Sequence, residues 1–506
     1  MKSVFLAAVL AAVLCISGNL WAGSYSGGSG TQADPYKIST VADLQWLMIH
    51  NTDWDKHFIL TGSLDLAGIP VTPIGTQSTQ FTGVFDGQDY TISRAVINQT
   101  GVSNVGLFGY VFGGQISNLG LPDITVTGQN NVGGLVGLNK GGSIQFCYAT
   151  GSVSGLTGVG GLVGGNREDG SNFGTITACY FRGQVNGTTM VGGLAGFNYI
   201  GGTIADSYAS AQVIGTNLYI GGLVGKNEGS ITSCYAAGET QGSSSVGGLV
   251  GGLANGGAVN SCYAASVVSG TGSNVGGLIG SIDQQSSVAV SFWDMQISRQ
   301  ETSTGGEGKT TLEMQSDELY IHEGWDFLGE TDNGTDDIWM MPAVVGYPIF
   351  SWTERPGNDL MAHATLLPVE AAQEGTSIGA TGQDITLNGY NDWADVWYYY
   401  DCTANDKFTI TLNSPDFDTT LAVFDAKGRE IVFNDDFFGG KSVVILKART
   451  EVRYYIRVSG YDGLRGEFEI FLERGAVQAI QGDLNYDGHV NLIDFAIFAD
   501  NWLGGM

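Results

Sequence analysis

A glycine–glycine–leucine core occurs six times in this chain, each time in nearly the same surroundings. The copies begin at Val132, Val159, Val191, Ile220, Val246 and Val275, and a shorter V-G-L-F-G begins at Val105. Their leucines are Leu107, Leu135, Leu162, Leu194, Leu223, Leu249 and Leu278, spaced 28, 27, 32, 29, 26 and 29 residues apart. A period in this range requires a stack of like units, because one such unit cannot bury its apolar side alone.

Each core is followed by a second signature: F-C-Y-A at Phe146, A-C-Y-F at Ala178, D-S-Y-A at Asp206, and S-C-Y-A at Ser233 and Ser261. A third β-prone piece follows, such as that starting at Gly151 or Gly183. Three strand-like segments per unit, separated by Gly, Ser and Asn, predict one coil of a right-handed parallel β-helix. Helical periodicity is absent, and the glycines would make helices costly. Equivalent residues then stack about 4.8 Å apart on successive rungs. The leucines form one internal ladder. Tyr148, Tyr180, Tyr208, Tyr235, Tyr263 and Phe292 are expected to form another, also inward. The variable Phe146, Asp206 and Ser233 face outward, and glycines supply the tight corners.

Cys147, Cys179, Cys234 and Cys262 share one register, with Ser207 between them. They are either small buried thiols or disulfides between neighbouring rungs, Cys147–Cys179 and Cys234–Cys262. In-register side chains on parallel strands point the same way, which suits bridge geometry poorly. Mostly reduced thiols are therefore expected. A single ladder offers no tetrahedral metal site.

Residues 1–22 read as a secretory signal peptide: Lys2, an apolar run from Val4 to Ile16, and a cleavage site at Leu20-Trp21-Ala22. No later stretch is long enough to span a membrane, so a secreted or surface-held protein without membrane insertion is expected. The 21 Lys and Arg stand against 50 Asp and Glu, a net charge of −29. Such acidity argues against nucleic acid or anionic lipid as partner. Most of the acidic excess lies beyond residue 300.

The β-helix is expected over 23–290, with a capping helix around Leu44, Leu47 and Met48 and early rungs at His57 and Phe81. Residues 291–355, rich in aromatics such as Phe292, Trp293, Trp325, Trp339 and Trp352, read as the closing cap, and 356–372 as a linker. From 373 to 474 the pattern alternates, as in Phe408, Ile410, Leu412 and Phe468, Ile470, Leu472, predicting an antiparallel β-sandwich. The fold class is all-β.

Residues 482–503 carry the strongest chemical motif. Asp483, Asn485 and Asp487 occupy loop positions 1, 3 and 5, and Gly488 provides the turn at 6. The His489 carbonyl falls at 7, Asn491 at 9 and Asp494 at 12. Oxygen donors at this EF-hand-like spacing suit Ca²⁺. Leu492, Phe495, Phe498 and Trp502 then give a helix one apolar face.

Catalytic candidates are sparse. Between residues 101 and 290 there is no His, and the only acids are Asp123, Glu168, Asp169, Asp206, Glu228, Glu239 and Asp283. Glu168 and Asp169, adjacent in a turn insertion, are the best placed for paired-carboxylate sugar chemistry. A solvated turn is the simpler account of them. No catalytic residue is assigned.

The repeats resemble the GLUG motif family of bacterial secreted and surface proteins. Trp397 to Tyr400, Asp418 to Phe424 and Tyr454 to Gly460 resemble the bacterial pre-peptidase C-terminal domain. The tail is similar to a type I dockerin repeat, with Asp483, Asn485, Asp487, Asn491 and Asp494 on its ligand positions. That resemblance implies calcium binding and docking to a cohesin-like protein, although dockerins carry two such repeats and this chain has room for one. Together these features lead to the expectation of a secreted, non-catalytic scaffold or adhesin-type protein linked to extracellular polysaccharide. The alternative is a polysaccharide lyase or glycoside hydrolase built on the β-helix.

Overall fold

The computed structural model describes residues 25–328 and, in segments, residues 333–474. The chain divides into two compact units at the Glu323–Gly324 boundary. The signal peptide and the calcium-loop motif lie outside the described residues.

The first unit is a parallel β-helix. Each full coil has four strands rather than the three expected, as in Leu218–Gly221, Val224–Asn227, Ser230–Thr232 and Tyr235–Gly242. They stack into four parallel sheets of six, seven, ten and nine strands. The extra bend lies inside the glycine–glycine–leucine core, which the sequence presents as one apolar run. Register is kept from rung to rung: Val224 pairs with Val250, Ile231 with Val259 and Tyr235 with Tyr263.

Close approach explains the glycines. At Gly222 a Cβ would lie 2.1 Å from the Gly248 carbonyl oxygen and 3.0 Å from the Ala236 methyl across the interior. At Gly221 it would lie 2.1 Å from the Val224 carbonyl oxygen. Both positions exclude any side chain. Glycines do hold one set of left-handed corners, Gly113, Gly141, Gly201 and Gly256 at φ 65–81°, but a second set is not glycine. Phe146, Ala178, Asp206, Ser233, Ser261 and Val290 hold φ between 44° and 51°, immediately before the Cys/Ser position of each rung.

All seven leucines are buried, at 0–1 % exposure. The aromatic ladder differs from expectation. Cys234 and Ala236 point into the core, so strand alternation turns Tyr235 outward. The tyrosines stack on the outer face of the nine-stranded sheet, with ring centroids 4.7–4.9 Å apart and planes within 3–8°. Repetition there reflects ring stacking rather than an interior position. Corner residues are not uniformly exposed either, since Ser233 and Ala178 are buried.

The cysteines are free and buried. Each thiol donates to the carbonyl two residues back, 3.1 Å for Cys234 to Thr232. Cys179, Ser207, Cys262 and Ser291 also accept from an amide one rung away, for example Cys147 N–H to Cys179 Sγ at 3.4 Å and Cys179 N–H to Ser207 Oγ at 3.1 Å. The site takes a small acceptor, which explains why Cys and Ser are interchangeable there. Burial, reinforced by the neighbouring thiols, pushes the Cys147 and Cys234 pKa values well up, keeping them as inert protonated thiols.

Both ends of the stack are closed. Helix Val41–Ile49 buries Leu44, Leu47 and Met48 at the start. Its N-cap Thr40 and the buried Asp43 exchange bonds, 3.2 Å into Thr40 Oγ1 and 2.8 Å from the Thr40 amide. At the far end, Trp293 enters the core and Tyr320 of helix Asp317–His322 covers Tyr263 and Phe292 outside. The aromatics expected in one cap are divided. Trp325, Trp339, Phe350 and Trp352 stack on one another in the second unit.

The second unit holds a five-stranded and a four-stranded sheet, in which all neighbouring named strands are antiparallel except one pair. Tyr398, Ile456 and Leu421 of the first sheet share a core with Phe408, Ile410, Ile470 and Val444 of the second.

Because Leu223 touches rungs on both sides, Leu223→Ala is expected to cost about 2–5 kcal/mol, read as a lower denaturation midpoint with unchanged m-value.

Candidate functional site

The residues that could carry chemistry in the repeats fall on two faces of the β-helix and inside one corner. The corner is occupied by an asparagine ladder. Asn139, Asn166, Asn198 and Asn227, each four residues after its leucine, are fully buried. Asn139 donates to Asn166 Oδ1 at 2.8 Å, Asn166 to Asn198 at 2.9 Å, and Asn198 to Asn227 at 2.8 Å. Each also donates to a turn carbonyl, such as Gly142 at 2.9 Å and Gly174 at 2.9 Å. Val111 precedes the ladder and Leu253 follows it in register. Asn139 Oδ1, at the open end, has no partner among the described residues. This ladder is structural, and the repeated Asn in the sequence was its signal.

The outer face of the seven-stranded sheet is where aromatic and basic side chains gather. Lys140 pairs in register with Phe112 on one side and Arg167 on the other. Lys140 Nζ sits 5.2 Å from the Phe112 centroid, and Arg167 Cζ sits 5.2 Å from that of Tyr199. In the neighbouring column Phe197 pairs with Lys226, whose Nζ lies 5.2 Å from its ring and 5.5 Å from Tyr219. The Phe197 and Tyr199 rings are 3.7 Å apart. Gly165 leaves the notch that Leu138 and Tyr199 border. Lys226 is ion-paired to Glu228 at 2.6 Å, and Glu228 also accepts from Asn255 at 2.7 Å. Three of the four basic residues between 101 and 290 thus share one face. Their positions, three or five residues after the repeat leucine, were visible in the sequence, but they matter only once the register brings them together.

The fourth, Arg182, lies on the tyrosine face and donates to the Tyr208 hydroxyl at 2.8 Å. There burial raises the pKa of Tyr148, Tyr180 and Tyr208 above the phenol value. A parallel amide ladder runs beside them, Gln184 to Gln212 at 2.8 Å and Gln212 to Glu239 at 3.1 Å.

Of the two acids expected to be the best catalytic candidates, Glu168 and Asp169, the second serves a turn. Asp169 Oδ1 accepts from the Ser171 and Asn172 amides at 2.7 Å each, which holds its pKa below the usual carboxylate range. Asp283 does the same for Gln285 and Ser286 at 3.1 and 3.0 Å. Glu168 lies beside Gly201 and Phe173. The calcium-loop residues Asp483, Asn485, Asp487, His489, Asn491 and Asp494 all lie outside the described residues. Among the described residues, no group of three His, Cys, Asp or Glu side chains could hold a metal ion.

The model of the GLUG motif matches residues 128–154, 187–214 and 216–240. A candidate Gly-rich membrane protein of Evansella cellulosilytica is 33 % identical over 93 residues, 17 % of this chain and 11 % of that protein. Halomucin of Haloquadratum walsbyi is 35 % identical over 91 residues, 16 % of this chain and 1 % of halomucin. The match therefore spans about a tenth or less of these relatives. Among solved structures, a candidate immunoglobulin A1 protease from Bacteroides ovatus aligns over 65 % of this chain and 96 % of its own, at TM-score 0.45 and 21 % identity. The pre-peptidase C-terminal domain of a Bacillus anthracis collagenase aligns over 22 % and 93 %, at TM-score 0.17 and 15 % identity. Among the described residues, no helix is long and apolar enough to cross a membrane.

Two outcomes are expected. Asn166→Leu leaves Asn198 Oδ1 without its donor while Asn139 Oδ1 stays unpaired, whereas Asn139→Leu only shifts the unpaired oxygen to Asn166. Asn166→Leu should therefore lower stability more than Asn139→Leu does, by about 1–3 kcal/mol, in paired urea titrations. Phenols whose folded pKa is raised stabilise the fold fully below their unfolded pKa of about 10 and lose that contribution as pH climbs toward the folded values. The urea midpoint should fall from pH 9 to pH 11, and less so in Tyr180→Phe.

Proposed function

We propose that this chain is a secreted, non-catalytic binding scaffold of adhesin type, whose β-helix presents outer faces to a partner and whose tail docks through calcium. The observation that carries this reading is the division of labour across the β-helix wall. Inner positions repeat nearly unchanged, while three of the four basic residues between 101 and 290 gather with aromatic rings on one outer face. Chemistry directed outward along a regular array suits an extended ligand better than a cleft reaction. Four of the seven acids have other partners: Asp169 and Asp283 hold turns, Glu228 pairs with Lys226, and Glu239 ends the glutamine ladder. The membrane protein among the relatives fits a location at the cell surface.

Extracellular polysaccharide is the ligand class this reading favours. The tail contributes a second attachment. Asp483, Asn485, Asp487, Asn491 and Asp494, with the His489 carbonyl, have the spacing to surround one Ca²⁺. Binding would order the loop and present Leu492, Phe495, Phe498 and Trp502 to a cohesin-like partner.

Calorimetry of the full chain tests the tail. One calcium-binding event is expected, and it should vanish in Asp483→Ala plus Asp487→Ala. Equal heats in both proteins would remove the calcium assignment. Incubation with polysaccharides should release no reducing ends; release above a boiled control would replace the scaffold reading with a lyase or hydrolase.

A further inference from the structure

Resting on that binding role, we propose that the outer column Phe112–Lys140–Arg167–Tyr199 is the binding strip for an anionic polysaccharide, with Lys140 and Arg167 together gripping uronate carboxylates. Lys140 and Arg167 are direct register partners on adjacent rungs. Like charges in that relation destabilise a sheet. Neither is in an ion pair among the described residues, whereas Lys226 in the next column is matched by Glu228. The nearest acid, Asp169, is within electrostatic reach of Lys140, but its carboxylate oxygens are engaged by the turn of Ser171 and Asn172. Two adjacent cations without a matched acid create a demand for an anion from outside.

The flanking rings define what kind of anion. Phe112 lies one rung before the cations and Tyr199 one rung after, each with a cation over its face. Ring faces and edges of this sort accept the apolar faces of sugars, and cations accept carboxylates in charge-assisted hydrogen bonds. Four rungs at about 4.8 Å cover about 14 Å along the axis, a length that calls for a chain rather than a single sugar. Phe173, 59 % exposed in the turn after Arg167, and Ile200, 53 % exposed in the turn after Tyr199, extend the apolar contact. A nucleic acid, with its denser charge, would be repelled by a chain of net charge −29. A polymer with one carboxylate per sugar meets this repulsion more weakly and uses the rings.

The test uses the full-length chain and three probes: polygalacturonate, its fully methyl-esterified neutral form, and polyglutamate. Polygalacturonate should bind, more weakly as salt rises, and the other two should bind at least tenfold less well. Lys140→Gln plus Arg167→Gln should lower polygalacturonate affinity by about tenfold or more, while Arg182→Gln on the tyrosine face leaves it unchanged. Without ligand, the double variant should melt close to the parent, because removal of the like-charge contact offsets the loss of the two cation–π contacts. Equal binding by parent and double variant, or equal binding of polyglutamate, overturns the proposal but leaves the scaffold reading standing. A double variant that melts several degrees lower marks the column as structural and also overturns it. Cleavage of polygalacturonate would instead remove the scaffold reading itself.

Discussion

Every rung of the β-helix is hydrogen-bonded to the rung beside it, and that spacing governs the rest of the structure. Backbones about 4.8 Å apart leave no room for a side chain wherever the chain bends sharply into its neighbour. At Gly222 the next rung's carbonyl stands where a Cβ would be, and Gly193 and Gly248 meet the same obstacle at 2.1 Å. The repeated glycine pair is thus a packing requirement between coils. The leucine that follows can enter the core because the glycines before it occupy so little space.

The same register decides which side chains benefit from having a copy of themselves above and below. Leucine benefits by burial. Asparagine benefits because its amide both donates and accepts, so a stack bonds to itself and leaves an unpaired oxygen only at Asn139. Cysteine and serine are interchangeable in their ladder because the requirement is a small acceptor for an inward amide. Tyrosine benefits outside, where rings stack within 8° of parallel. Identical cations gain nothing from this register, so the adjacency of Lys140 and Arg167 stands out against every other ladder.

Much of this was legible in the sequence. The leucine period fixes a parallel β-helix, because only stacked units bury one apolar position per 26–32 residues. Four points were not legible. Tyr235 was expected inside because identity was equated with burial, yet stacking outside preserves identity equally well. The fourth strand was hidden because the residues on either side of the bend, Ile220 and Val224 in one coil, are both apolar and leave no break in pattern. Glycines were expected at the tight corners and do hold one set, Gly141 and Gly201 among them, but Asp206 and Ser233 belong to another set, tolerating φ near 49°. The aromatic–basic face needed the register itself: Phe112, Lys140, Arg167 and Tyr199 are 28, 27 and 32 residues apart and share no motif.

A stacked architecture also explains how such a face can arise without disturbing the fold. Each coil contacts only its neighbours, so stability is close to a sum of local terms. Outer positions carry little of that sum. In the column of Tyr199 the successive residues are aromatic, basic, basic, aromatic and acidic, from Phe112 to Glu228, while the leucines and asparagines beneath them change little. The Lys226–Glu228 pair shows the stabilising solution available to a half-buried cation on this surface, a carboxylate two residues along at 2.6 Å. Lys140 has Gly142 at that offset, and Arg167 has Asp169, which is committed to its own turn. The wall therefore holds one cation paired with an acid and two set over rings without one, on a scaffold whose interior is indifferent to the difference.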